Sequence, residues 1–159
     1  MKKKILITRK LLKENEDKLK ELFDVNLNSN DEIYKSDKII ELSKNCDGIL
    51  CAVTDQFNKE LITRLSPSIK IIANFAVGYG NIDINVAKER NIVVTNTPEV
   101  LDDSTADVSI LLLLGASRKV LEARRAAELQ NWKWSADFML GKQMSNKRLG
   151  ILGMGRIGR

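Results

Sequence analysis

The chain has 159 residues, 43% hydrophobic and 30% charged, an ordinary balance for a globular domain that excludes a disordered or collagen-like chain. Its longest apolar stretch, residues 108–115, falls far short of the roughly 20 residues needed to span a bilayer, so no membrane partner is expected. The net charge of +5 is unevenly placed: residues 118–159 carry ten basic and three acidic groups, against 16 and 18 in residues 1–117.

From residue 3 onward, short aliphatic strands alternate with amphipathic helices. Lys2, Lys3 and Lys4 ahead of Ile5, Leu6 and Ile7 imitate a secretion signal. Arg9 and Lys10 end that run too early, however, and no small-residue cleavage site follows, so a strand over 3–8 in a cytoplasmic protein is expected. A helix follows with Leu11, Leu12, Leu19 and Leu22 on one face. Further strands are expected at 23–27, 48–53, 70–76, 91–95 and 148–152, each bounded by Gly, Asn, Asp or Pro. Helices are expected at 36–44, 58–65 and 83–90, with Ser36, Asn58 and Asp83 as N-caps. This alternation implies right-handed crossovers and an α/β, doubly wound, mainly parallel sheet.

A long helix is then expected over 104–127, with Ser104 and Asp107 in capping-box spacing and Asp102 and Asp103 complementing its dipole. Its middle, residues 108–114, is apolar on more than one face, which implies burial on two sides. Residues 128–147 are the least periodic and read as a linker or exchanged arm around Trp132, Trp134, Phe138 and Met139.

The absence of histidine excludes His-based triads, and Cys46 and Cys51 alone cannot furnish a structural zinc site. Both thiols are expected to be buried and unpaired. The scattered basic excess has no zinc-finger or helix-turn-helix signature with it, so nucleic acid is not an expected partner. A solvated surface or a site for a phosphate-bearing ligand suits it better.

Two glycine clusters could carry chemistry. Gly153, Gly155 and Gly158 form G-x-G-x-x-G after an expected strand, where backbone could approach a pyrophosphate and Arg156 adds a cation. The alternative is a glycine-rich tail. Ala76-Val77-Gly78-Tyr79-Gly80-Asn81-Ile82-Asp83 lies between a strand and a helix, where successive N–H groups could form an anion-binding nest. The alternative there is a tight turn capped by Asp83. Thr105 is either an ordinary first-turn residue or a hydroxyl offered to a ligand.

Those motifs, together with Asn96-Thr97-Pro98-Glu99-Val100-Leu101, Ser104-Thr105-Ala106-Asp107 and Leu149-Gly150-Ile151-Leu152 before the glycine motif, resemble the D-isomer-specific 2-hydroxyacid dehydrogenase family. The glyoxylate and hydroxypyruvate reductases are the most similar branch. The resemblance covers nearly the whole chain. It implies a flavodoxin-like substrate domain over 1–101, an interdomain helix over 102–127, a linker or dimer arm over 128–147 and the start of a Rossmann domain over 148–159.

It also implies that the Val77 and Gly78 backbone holds the substrate carboxylate. Thr105, Gly153, Met154, Gly155, Arg156, Ile157 and Gly158 would then meet NAD or NADP. Gly80 stands where many members have Asp. A small 2-oxo or 2-hydroxy acid is the implied substrate and a homodimer the implied full-length assembly. The family's catalytic Arg, Glu and His match no position here, so these 159 residues are expected to be an inactive N-terminal part of such an enzyme. The alternatives are a phosphoglycerate dehydrogenase-like member, or a non-catalytic module that binds a carboxylate or docks a partner.

Overall fold

The computed structural model describes residues 1–130 and 132–159. Asn131, inside the expected arm, lies outside the described residues. The chain divides into two compact units, Met1–Val100 and Leu101–Arg159.

The first unit is an α/β domain. Its strands are β1 (Lys4–Ile7), β2 (Asp24–Asn26), β3 (Gly48–Ala52), β4 (Ile71–Phe75) and β5 (Val93–Thr95), interleaved with helices α1 (Lys13–Leu22), α2 (Ser36–Ser43), α3 (Lys59–Arg64) and α4 (Ile84–Glu89). The strands are all parallel, in the order β2-β1-β3-β4-β5. That is the flavodoxin-like order, in which the winding direction changes between β1 and β3.

Period-two alternation sends Leu6, Ile49, Cys51, Ile72 and Asn74 to one face of the sheet, where all are buried. Ile39 of α2, Leu61 and Ile62 of α3, and Val86 and Ala87 of α4 join the aliphatic residues among them, with Phe57, in one core. Little aromatic surface is used, as the composition implies. The opposite face is less covered: no residue of α1 is buried, and Phe75 and Val93 are 61% and 58% exposed. Of the α1-face leucines, Leu11 and Leu19 are half-buried, whereas Leu12 and Leu22 stay exposed.

Asn58 and Asp83 cap as expected, accepting from the Leu61 and Val86 N–H groups. Ser36 does not: Lys35 holds the N-cap position and Ser36 is the first helical residue. Cys46 and Cys51 are buried and unpaired. Burial pushes both thiols up, Cys51 to about 12 with Asp55 adding to the effect.

The second unit differs from expectation in three respects. The long helix is broken into α5 (Asp102–Ser117) and α6 (Val120–Leu129), with Lys119 left-handed at φ 55°. The break has a cause in the later chain, because the Lys142 N–H donates to the Ser117 carbonyl (2.7 Å) that a continuous helix would use. The Ser104–Asp107 capping box is also absent. Leu101 is the N-cap, and Ser104 Oγ donates back to the Leu101 carbonyl (3.0 Å).

Residues 148–152 form no strand. An extended segment needs a ladder partner to satisfy its backbone, and none of the described residues pairs with it. No residue of α5 is buried, so its apolar surface, including Leu111 and Leu112, remains exposed. In the arm, Trp132 stacks on Phe138 with ring centroids 5.7 Å apart. No described helix is long and apolar enough to cross a membrane.

Candidate functional site

In an open parallel sheet, the carboxyl ends of the strands present loops rather than paired backbone, and ligands bind there. In the first unit the loop after β4 is the most elaborately held. The Phe57–Ile82 bridge fixes its far end, through Phe57 N–H to the Asn81 carbonyl (2.8 Å) and Asp83 N–H to the Phe57 carbonyl (2.9 Å). Its near end is tied by Thr97 N–H to the Ala76 carbonyl (2.9 Å).

Between those anchors, two side-chain amides take hold of successive carbonyls. Asn96 Nδ2 donates to the Val77 carbonyl (2.7 Å) and Asn74 Nδ2 to the Gly78 carbonyl (3.0 Å). The N–H groups of Gly78 and Tyr79 have no acceptor among the described residues. Gly78 and Gly80 do not take left-handed backbone; among the described glycines only Gly153 does. The loop's peptides are aimed by asparagine side chains rather than by left-handed glycines. What glycine supplies is room: a Cβ at Gly78 or Gly80 would meet no atom within 4 Å.

The ends of β1 and β3 carry polar groups that inspection of the sequence missed. Arg9 presents a two-pronged fork to Asp31 (2.8 and 2.9 Å) and reaches Thr54 Oγ1 (2.8 Å). The Arg9 hydrogen bond, then the Lys10 N–H, holds the Asp31 carboxyl well below the usual carboxylate range. Beneath them Thr8 Oγ1 donates to Asp55 Oδ2 (2.6 Å), which also accepts from the Ala52 N–H (2.9 Å). Asp55 Oδ1 is buried with no hydrogen-bond partner among the described residues. The available signal was positional: Thr8-Arg9 and Thr54-Asp55 are the polar pairs just past two aliphatic runs.

In the second unit, Gly153 lies at φ 96°, and a Cβ at Gly158 would collide with the Gly153 carbonyl oxygen. A Cβ at Gly155 would meet nothing within 4 Å, so backbone there is open to a ligand. Gly153, Ile157 and Gly158 share a cleft with Ala106, Ser109 and Leu113 of α5; Thr105, Met154, Gly155 and Arg156 do not line it. Thr105 Oγ1 donates to the Leu101 carbonyl (2.8 Å), which leaves its oxygen only as an acceptor. Arg156 Nε lies 3.1 Å from Asp102 Oδ2, so the expected phosphate-facing cation pairs with a first-turn carboxylate.

The family model for the catalytic domain of D-isomer specific 2-hydroxyacid dehydrogenases matches residues 5–146. The chain belongs to that family. The chain is 39% identical over 160 residues to a glyoxylate reductase of Korarchaeum cryptofilum, covering 99% of this chain and 48% of that one. A crystal structure from Polaromonas sp., described as a putative NAD-binding D-isomer specific 2-hydroxyacid dehydrogenase, superposes with a TM-score of 0.92 at 33% identity, over 99% of this chain and 50% of that one.

The NADPH-dependent glyoxylate/hydroxypyruvate reductase of Sinorhizobium meliloti, solved with NADP and malonate, matches with a TM-score of 0.81 at 30% identity, over 99% of this chain and 48% of that one. The chain thus spans about half the length of the relatives it matches. Within the chain, Val77 and Gly78 sit in one loop at the sheet's carboxyl end, whereas Thr105 and the residues of the glycine motif belong to the second unit.

Proposed function

We propose that the whole protein is an NAD- or NADP-dependent reductase of a small 2-oxo acid, glyoxylate or hydroxypyruvate. In this reading residues 1–101 supply the substrate-binding half. The peptides joining Val77, Gly78 and Tyr79 anchor the substrate carboxylate. The observation that carries this is the pair of asparagine-held carbonyls, which turn the Gly78 and Tyr79 N–H groups the opposite way, neither having an acceptor among the described residues. Two N–H donors side by side suit the two oxygens of a carboxylate, and such charge-assisted bonds are stronger than neutral ones.

The nicotinamide cofactor, when bound, supplies the hydride. The backbone of Gly153, Met154, Gly155, Arg156, Ile157 and Gly158, with Thr105, would hold it. The fit rests on left-handed Gly153, on the Gly158–Gly153 approach that admits no Cβ, and on the uncovered backbone at Gly155. Arg156 would exchange its Asp102 partner for a phosphate.

With no histidine among the 159 residues, the proton for the carbonyl oxygen comes from outside them, and this stretch alone is inactive. The full-length enzyme would be a homodimer, with the arm around Trp132 and Trp134 meeting the other subunit. A direct test measures oxidation of NADH and NADPH with glyoxylate and with hydroxypyruvate, by the full-length polypeptide and by the 159-residue chain. Turnover by the former alone is expected. Turnover by the short chain, or by neither with any 2-oxo acid, contradicts the proposal.

A further inference from the structure

Asn74 is anomalous for its place in the fold. It is an interior position of a central parallel strand, 2% exposed, on the face where Ile72 precedes it. Packing there asks for an aliphatic residue, and a buried amide is costly unless its hydrogen-bonding capacity is used. Here it is fully used. Nδ2 donates to the Gly78 carbonyl (3.0 Å) and to Asn81 Oδ1 (3.1 Å), while Oδ1 accepts from Cys51 Sγ (3.5 Å) and Asn81 Nδ2 (3.4 Å). Asn81 is braced in turn, donating to the Asp55 carbonyl (3.0 Å) and the Ala52 carbonyl (3.3 Å) at the end of β3.

Within this set, the bond from Asn74 to the backbone of the ligand-facing loop is the one to the Gly78 carbonyl. In a trans peptide the carbonyl and the following N–H point in opposite directions, and the chain has no cis peptide among its described residues. Drawing the Gly78 carbonyl inward therefore turns the Tyr79 N–H outward. Asn96 does the same for the Gly78 N–H through the Val77 carbonyl. The two donors are thus set by separate side chains.

We infer that Asn74, held by Asn81, is the positioning residue for the Tyr79 N–H in carboxylate anchoring. The inference rests on the carboxylate reading above and adds a residue that touches no substrate. In this arrangement the buried amide pair ties the end of β3 to the anchoring loop, so the donor is oriented before a ligand arrives.

The test uses the 15N-labelled 159-residue chain with D-glycerate as probe. In the wild type, titration shifts the Gly78 and Tyr79 amides, and the Asn74 side-chain amide protons exchange slowly. In Asn74→Asp, which keeps the shape but loses the donor to the Gly78 carbonyl and to Asn81 Oδ1, affinity falls about tenfold, as expected for loss of the Tyr79 N–H bond to the carboxylate. The Tyr79 response disappears while the Gly78 response remains. A merely structural role for Asn74 would not separate these two neighbours.

Equal responses in Asn74→Asp and wild type overturn the role of Asn74 and leave the carboxylate reading standing. No response at Gly78 or Tyr79 in the wild type overturns that reading and the inference with it. Should Asn74→Asp not fold, the wild-type side-chain amide decides: rapid exchange and no response to D-glycerate overturn the inference, whereas slow exchange and a shift on titration support it.

Discussion

Gly78→Ala separates the two things a loop glycine can do. If Gly78 were there for backbone freedom, alanine would strain the turn and destabilise the domain. Its φ is not left-handed, though, and a Cβ at that position meets no atom within 4 Å. Alanine fits the same backbone and restricts the unfolded chain, so the variant should be more stable by about 0.4–1 kcal/mol. For a unit the size of Met1–Val100, that is a rise in Tm of about 2–6 °C. If the methyl enters the space a carboxylate would occupy, it should weaken carboxylate binding about tenfold or more, the equivalent of at least one hydrogen bond. Thermal denaturation and a D-glycerate titration on the same sample read both effects. A lowered Tm refutes the room-not-strain argument, and unchanged affinity with a raised Tm removes Gly78 from the binding site.

Other perturbations probe the polar groups around the loop. Thr8→Val takes one donor from the buried Asp55 carboxylate, whose Oδ1 already lacks a partner. It should cost about 1–3 kcal/mol in urea unfolding; a loss near zero would show that Thr8 does not support Asp55. The Cys51 thiol is held at about 12 by burial, against 9.0 for an ordinary thiol. Below pH 9 both states keep the proton; between pH 9 and 12 the unfolded thiol loses it first, so stability falls by up to about 1.4 kcal/mol per pH unit. Cys51→Ala should remove that part of the alkaline loss, and an identical pH profile in the variant contradicts the assignment. Arg9→Ala should return the Asp31 carboxyl toward its ordinary value of 3.8, read by 13C shifts against pH; a carboxyl that stays depressed contradicts Arg9 as the main cause.

Much of the α/β architecture was legible because its signals are local. Period-two aliphatic runs mark the five strands of the sheet, and Asn58 and Asp83 mark two helix starts by a side chain bonding two or three residues ahead. What was not legible depends on partners distant in sequence. Residues 148–152 have a strand's composition, yet a strand exists only where a neighbour satisfies it. The α5–α6 break is made by Lys142, over 20 residues away, and no local pattern at Lys119 announces it. At the candidate site, the motif marks the loop that holds Val77 and Gly78, but nothing local in it announces that the side chains of Asn74 and Asn96 aim its peptides. Arg9, Asp31 and Thr54 went unread because only the parallel pairing of β1 with both β2 and β3 brings them together.

A crystal structure of the chain with D-glycerate bound tests the central claim most directly. The account predicts the carboxylate oxygens within about 2.7–3.2 Å of the Gly78 and Tyr79 nitrogens, with Asn74 and Asn96 still bonded to the Gly78 and Val77 carbonyls. A carboxylate bound at the Arg9 fork instead, or a loop whose peptides turn over to leave both N–H groups facing the core, would contradict it.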